Sequence, residues 1–151
     1  MELAIAIAAN AVLGVVLLGL FLWRGKADGA RLAGPAEALG LFRTHCPDAA
    51  VDTATVSADA CSALIALRHD PAVGLVQRHG RRWNVRTLQA QDLRSVAVVR
   101  GNTLRLELAD FAWPRVDVRL EDADERAHWQ ARLADLSVLR DTRRLLVTPH
   151  A

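Results

Sequence analysis

Between Thr103 and Glu121 the chain alternates with a period of two. Leu104, Leu106 and Leu108 interleave with Thr103, Arg105 and Glu107; then Val116, Val118 and Leu120 interleave with Arg115, Asp117, Arg119 and Glu121. Successive residues of a strand point to opposite sides of a sheet, so each stretch predicts a strand with one apolar and one wet face. An apolar sheet face must be covered, which requires a second layer packed on these strands. Gly101-Asn102, just ahead of the first stretch, is a tight hairpin signal, and it pairs the stretch with a preceding strand over Leu93 to Arg100.

The segment upstream carries four more strands. Ala50 to Val56 is rich in threonine and β-branched residues, and Ser57 to Ala60 makes a turn before Cys61 to Leu67. His69-Asp70-Pro71 breaks the pattern before Val73 to Arg78. The turn at His79-Gly80 leads into Arg82 to Leu88, with Trp83 and Val85 on one face. Seven strands are thus expected, and a helix follows them. Asp122 is placed to cap its free amides while Glu125, three residues on, reaches back as in a capping box. Trp129, Leu133 and Leu136 recur at helical spacing, away from Arg126 and Arg132, so the helix has one face to bury at the open end of a sheet. Residues 137–151 are basic at Arg140, Arg143 and Arg144 and apolar over Leu145 to Val147, and are read as a C-terminal tail.

The N-terminus is of another kind. Leu3 to Trp23 is a run of 21 residues whose one clearly polar member is Asn10, and about 20 such residues suffice for a helix to cross a hydrocarbon core. A cleaved secretory signal begins with basic residues and has a shorter apolar run. Here Glu2 precedes the run and Arg24-Gly25-Lys26 follows it, so residues 1–24 are expected to be a single-pass transmembrane anchor. Arg24, Lys26 and Arg31 lie just past it, which puts the remainder on the cytoplasmic side. Ala6, Asn10 and Gly14 recur at intervals of four, a small-residue arrangement that lets a second membrane helix come close and gives the Asn10 amide a partner. The lipid bilayer, and a protein within it, are therefore the expected partners of this segment. Residues 25–49 read as a juxtamembrane linker interrupted by glycines. A short helix is expected in it after Pro35, using Leu39, Leu41 and Phe42 as its apolar side before Pro47.

Composition limits the chemistry. The formal charge is +2, with 19 Lys and Arg against 17 Asp and Glu, too small a surplus to suggest nucleic acid as a partner. Cys46 and Cys61 form no C-x-x-C pair and are expected to be free thiols in a cytoplasmic domain. Phosphate-loop, metalloprotease and nucleophile-elbow patterns are missing. The spacings of His45, Cys46, Cys61, His69 and His79 match no standard zinc site. No catalytic residue, metal or cofactor is therefore assigned. The basic stretch Gln77-Arg78-His79-Gly80-Arg81-Arg82 is the candidate for binding: Arg78, His79, Arg81 and Arg82 surround a hairpin turn, and Arg86 and Arg94 extend the basic surface. Its alternative is a solvated turn. Asp110-Phe111-Ala112-Trp113-Pro114, between two strands, reads as a bend whose aromatics cover the edge of the core; its alternative is a ligand-stacking site.

Seven alternating strands, the hairpin at Gly101-Asn102 and a closing helix with a Trp at position 129 resemble the pleckstrin-homology superfold over residues 50–136. The whole chain is similar to membrane-anchored bacterial proteins that carry such a domain. The resemblance implies an α+β, mainly β fold: a partly open seven-stranded barrel of two packed sheets, capped by the C-terminal helix. It also implies a binding or scaffolding role, toward a protein partner or an anionic lipid surface, at the bacterial inner membrane. In lipid-binding members an early basic hairpin meets phosphorylated head groups. The alternatives are an accessory or assembly subunit of a larger inner-membrane complex, and an enzyme whose site is built from loops.

Overall fold

In the computed structural model the described residues are 29–147, with side chains through Thr142. The apolar run over Leu3 to Trp23, and Ala6, Asn10 and Gly14 with it, lies outside them. Among the described residues no helix is long and apolar enough to cross a membrane. In chain order the elements are α1 (Pro35–His45), β1 (Val51–Val56), β2 (Ser62–Leu67), β3 (Val73–His79), β4 (Arg82–Leu88), a 3-10 turn (Ala90–Asp92), β5 (Leu93–Val98), β6 (Thr103–Leu108), β7 (Arg115–Arg119) and α2 (Ala123–Val147). The seven expected strands are present, with ends that move by one or two residues. The fold is α+β and mainly β, in two antiparallel sheets: sheet A in the order β1-β2-β3-β4 and sheet B in the order β5-β6-β7. No ladder joins the two, so the sheets do not close into a continuous barrel.

Sheet A is covered on both faces. Along β2, Leu64 and Ala66 enter one apolar cluster while Ala63, Ile65 and Leu67 enter another, and all six residues of the strand are buried. The second cluster is completed by α1, whose Ala38 and Phe42 are fully buried against the sheet. Pro35 starts that helix at a position where its missing N–H costs nothing. Phe42 can approach because residue 74 on β3 has no side chain: a Cβ there would lie 2.6 Å from Phe42 Cε2 and 2.9 Å from Ile65 Cβ. Leu32, ahead of α1, is also buried, and its N–H donates to Ala60 O at 2.9 Å. The stretch from residue 32 to His45 therefore belongs to the folded body, although its sequence reads as linker. Glycines and mixed charges describe its exposed side, and only the docked Phe42 reveals the buried one.

Sheet B is covered on one face only. Leu104, Leu106 and Leu108 of β6 and Val116 and Val118 of β7 point inward, and they meet Leu64, Val73, Leu75 and Leu88 from sheet A in one core. Trp129, Leu133 and Leu136 of α2 complete it at 1%, 0% and 1% exposure. The outward side chains form cross-strand pairs, with Arg105 making two hydrogen bonds to Asp117 at 2.8 Å each. The β1–β2 turn reaches this sheet, Ala58 N–H donating to Arg119 O at 2.7 Å.

Two expectations about α2 need correction. The helix does not stop near Leu136 but continues to Val147, so the expected tail begins inside it. No breaker interrupts Ser137 to Val147, and Arg140 fastens the extension by donating to Leu93 O at 2.8 Å and Arg94 O at 2.9 Å. At the other end the cap is made in one direction only. Asp122 Oδ1 accepts from the N–H of Glu125 at 2.8 Å, but Glu125 makes no return bond, and its Oε2 is buried without a partner. Arg132, whose Nη2 donates to Leu67 O at 2.7 Å, ties the same helix to sheet A.

Candidate functional site

The basic hairpin is real and tight. His79 and Arg82 form the last pair of β3 and β4, leaving Gly80 and Arg81 as a two-residue turn. Gly80 has φ +61 at the first of these positions, where a II′ hairpin turn needs glycine. The pleat then divides the basic residues. Leu75 faces the inner core and is paired with Arg86, so Arg86, Gln77, His79 and Arg82 share that side of the sheet. Arg78 lies on the other side, opposite Trp83, which packs against the α1 cluster. Its backbone N–H donates to Cys61 O at 2.8 Å. The five expected residues thus do not form one surface: Arg78 leaves the group, while His79, Arg82 and Arg86 remain on one side and Arg81 occupies the tip.

The loop between β6 and β7 joins them. Asp110 organises it as an Asx-type turn, its Oδ1 accepting from the N–H groups of Ala112 at 2.8 Å and Trp113 at 3.2 Å. The other oxygen, Oδ2, takes a hydrogen bond and ion pair from Arg86 Nη1 at 2.7 Å. The Trp113 N–H above all, then that of Ala112 and the Arg86 guanidinium, hold the Asp110 carboxyl below its ordinary pKa. The Trp113 ring lies 5.0 Å from the His79 ring, tilted by 43°. The Arg86 guanidinium sits 5.3 Å from the centre of the same indole, a cation–π distance. Arg86 is therefore a clamp within the protein and is not offered outward.

What the clamped loop presents is Phe111. Its relative exposure of 104% makes it the most exposed large apolar side chain among the described residues. The bend was expected to bring its aromatics over the core edge; Trp113 does pack, on His79, but Phe111 covers nothing. The reason is local: with residues 112 and 113 folded back on Asp110, the residue between carboxylate and turn is forced to the outside. At the β3–β4 tip, Arg81 and Arg82 are exposed, and among the described residues neither side chain has a hydrogen-bond or ion-pair partner. Arg94 lines a cleft of about 420 Å³ with Glu107, Leu108, Pro114 and Arg115, next to the β6–β7 loop.

The sequence singles out Asp110 to Pro114 and favours a bend over a ligand-stacking site, but does not join Asp110, Phe111 and Trp113 to the basic hairpin. An Asp followed at the second and third positions by free N–H groups is an Asx-turn signal, but its contact with a hairpin some thirty residues away leaves no local trace. Cys46 and Cys61 are free thiols, Cys46 Sγ lying 3.8 Å from Thr87 Oγ1 and Cys61 Sγ 3.2 Å from Asp59 O. Among the described residues no three His, Cys, Asp or Glu side chains converge as metal ligands would. Comparison of the chain with protein-family models, curated proteins and solved structures finds no match.

Proposed function

We propose that this chain is a membrane-tethered, non-catalytic binding module whose cytoplasmic domain is pleckstrin-homology-like, and that it recognises an anionic group through the β3–β4 tip and the β6–β7 loop. Four strands, then three, then a helix on the shared core is the element order of that superfold. The apolar run over residues 3–23 supplies the anchor, and Arg24, Lys26 and Arg31 favour the cytoplasmic side of a bacterial inner membrane.

One observation carries the reading. Arg81 and Arg82 stand exposed and unpartnered beside an aromatic loop that Asp110 and Arg86 hold in one shape. Most other arginines facing the folds of this chain are committed: Arg105 to Asp117, Arg132 and Arg140 to backbone carbonyls. Guanidinium groups suit phosphate and carboxylate because their forked donors match two oxygens at once. The test is purification of the full chain from native membranes in mild detergent, as wild type and as the double variant Arg81→Glu, Arg82→Glu. Loss of an anionic lipid or acidic protein from the variant is the expected result. An unchanged set of co-purifying lipids and proteins rejects the proposed surface.

A further inference from the structure

We infer that the free edge of β4 is a self-association edge, along which a second copy of this chain adds its own β4 antiparallel and joins the two copies of sheet A into one. The inference is independent of the anionic-group reading above and draws on the sheet edges of the domain.

A strand at the edge of a sheet carries a row of unpaired N–H and C=O groups that another strand can use, and folded proteins blunt such edges with bulges, charges, short strands or covering elements. Among the described residues the two sheets leave four edge strands: β1, β4, β5 and β7. β1 is broken by a register shift between Val51 and Ala54. β5 has a shift between Leu93 and Ser95, and Arg140 of α2 already occupies the carbonyls of Leu93 and Arg94. β7 has five residues, with Arg115, Asp117 and Arg119 on its wet side, and the Ala58 N–H takes Arg119 O. β4 carries none of these devices: it is seven residues long, contains no proline, and pairs with β3 without a shift from Arg82 to Leu88.

Which groups of β4 face outward follows from the ladder. Arg78 N–H donates to Cys61 O, so Arg78 turns its backbone toward β2, and its neighbours Gln77 and His79 turn theirs toward β4. Their partners Asn84 and Arg82 therefore bond inward, with Arg86 and Leu88 in the same phase, and Trp83, Val85 and Thr87 direct N–H and C=O to the edge. Among the described residues those groups have no backbone partner. All three residues are half-buried, so the edge is reachable. The Trp83 and Val85 side chains pack against the α1 cluster, which holds the strand in place for a partner.

Backbone groups alone would accept any strand; the side chains select the copy. A two-fold axis through Val85 sets Val85 against itself and Trp83 against Thr87 of the second copy, so every outward residue of the strand finds an outward residue opposite, and each such pair exchanges two N–H···O bonds. Trp83 beside a threonine is a favourable aromatic and β-branched pair. On the inner side the same register puts Arg82 beside Leu88 and Asn84 beside Arg86, whose charge Asp110 already balances. A slip of the pairing by two residues loses outward pairs and sets like charges together: one direction brings Arg82 against Arg86, the other Arg86 against itself. Like charges directly opposite are destabilising, so charge and hydrogen bonding choose the same symmetric register. The interface is then isologous, as a closed two-fold dimer requires.

The experiment uses the full chain, in native membranes and in mild detergent. In a Cys46→Ser, Cys61→Ser background, Val85→Cys tests the position that meets itself: the Cα atoms of such a pair lie about 5.5 Å apart, within disulfide reach. Asp52→Cys, exposed on β1 at the other edge of sheet A, is the control. Mild oxidation should give a covalent dimer at 85 and none at 52. Sedimentation in detergent should give a dimer for wild type and a monomer for Val85→Pro, because proline at 85 removes an N–H that β3 does not use. Asn84→Arg, which keeps every backbone group and sets a like charge against Arg86 of the copy, should raise the dimer dissociation constant severalfold. A monomeric wild type with no cross-link at 85 overturns the inference. A wild-type dimer that Val85→Pro and Asn84→Arg both leave intact places association in another part of the chain and overturns it as well. A cross-link at 85 to a different protein in native membranes makes the edge a site for a foreign strand and overturns the second copy as its occupant.

Discussion

The two sheets of this domain are built from similar residues yet differ in how many faces they bury. Sheet B has one covered face, and its strands show it: β6 alternates buried with half-buried residues and β7 buried with exposed ones along their whole length. Sheet A has α1 on one face and the shared core on the other, so β2 is buried throughout and apolar from Ala63 to Leu67. Alternation is thus the mark of a wet face and not of a strand as such. A strand between two layers resembles any short apolar run, and only its neighbours say which residue goes to which side.

The comparison predicts that stability is concentrated where layers meet. Trp129→Ala removes the largest side chain in the core shared by both sheets; for Arg31–Ala151 it should cost about 3–5 kcal/mol, as large aromatic truncations do. Urea unfolding of wild type and variant measures it. A loss below about 1 kcal/mol, far short of that range, means that α2 does not hold the two sheets together.

A smaller effect separates the second face of sheet A from the first. Gly74→Ala forces a methyl group against Phe42 and Ile65, and overpacking of this kind costs about 1–3 kcal/mol. Phe42→Ala opens the space, so the cost of Gly74→Ala should fall in that background, leaving the part due to Ile65. A double-mutant cycle reads the coupling. Strict additivity would show that α1 is not seated on β3.

The wet face of sheet B should contribute least. Replacing Arg105 and Asp117 together by alanine is expected to move the melting temperature only slightly, because exposed pairs lose most of their attraction to solvent. The pair has a definite pH signature. The hydrogen bond from Arg105, and then the charges of Arg105 and Arg115, lower the Asp117 pKa in the fold. Its contribution is therefore complete above the ordinary aspartate pKa of about 3.9 and is lost as pH falls through the lower folded value. Melting curves of wild type and the double variant should converge over that acidic window; a constant gap would assign the difference to packing.

The same contrast explains how much of the molecule could be read from its residues. The hairpins at Gly80 and Gly101 were legible because each needs a positive φ, +61 and +52, that glycine adopts without strain. The inner face of α2 was legible because Trp129, Leu133 and Leu136 follow the helical period. The docking of α1 was not: Phe42 and Gly74 are a matched pair only once β3 lies beneath the helix. The C-terminal half of α2 was read as tail because Arg140 signals solubility in sequence and becomes a tie to β5 only when Leu93 and Arg94 expose carbonyls beside it. In the site, the arginines of the hairpin drew notice by their number, while the Asp110 to Pro114 stretch was noticed but not joined to them, because its partners, Arg86 and His79, lie on another sheet.

The residues by themselves determined the seven strands, the order of turns and the identity of the closing helix, since each of these depends on periods and torsions within a few positions of the chain. Tertiary structure alone decided which arginines are spent inside the protein and which remain outside. Arg86 and Arg82 are the same side chain on the same face of one strand; a carboxylate from a distant loop reaches the first and not the second. That assignment depends on distances between elements, set by how two sheets and a helix fill a common core, and no local pattern encodes it.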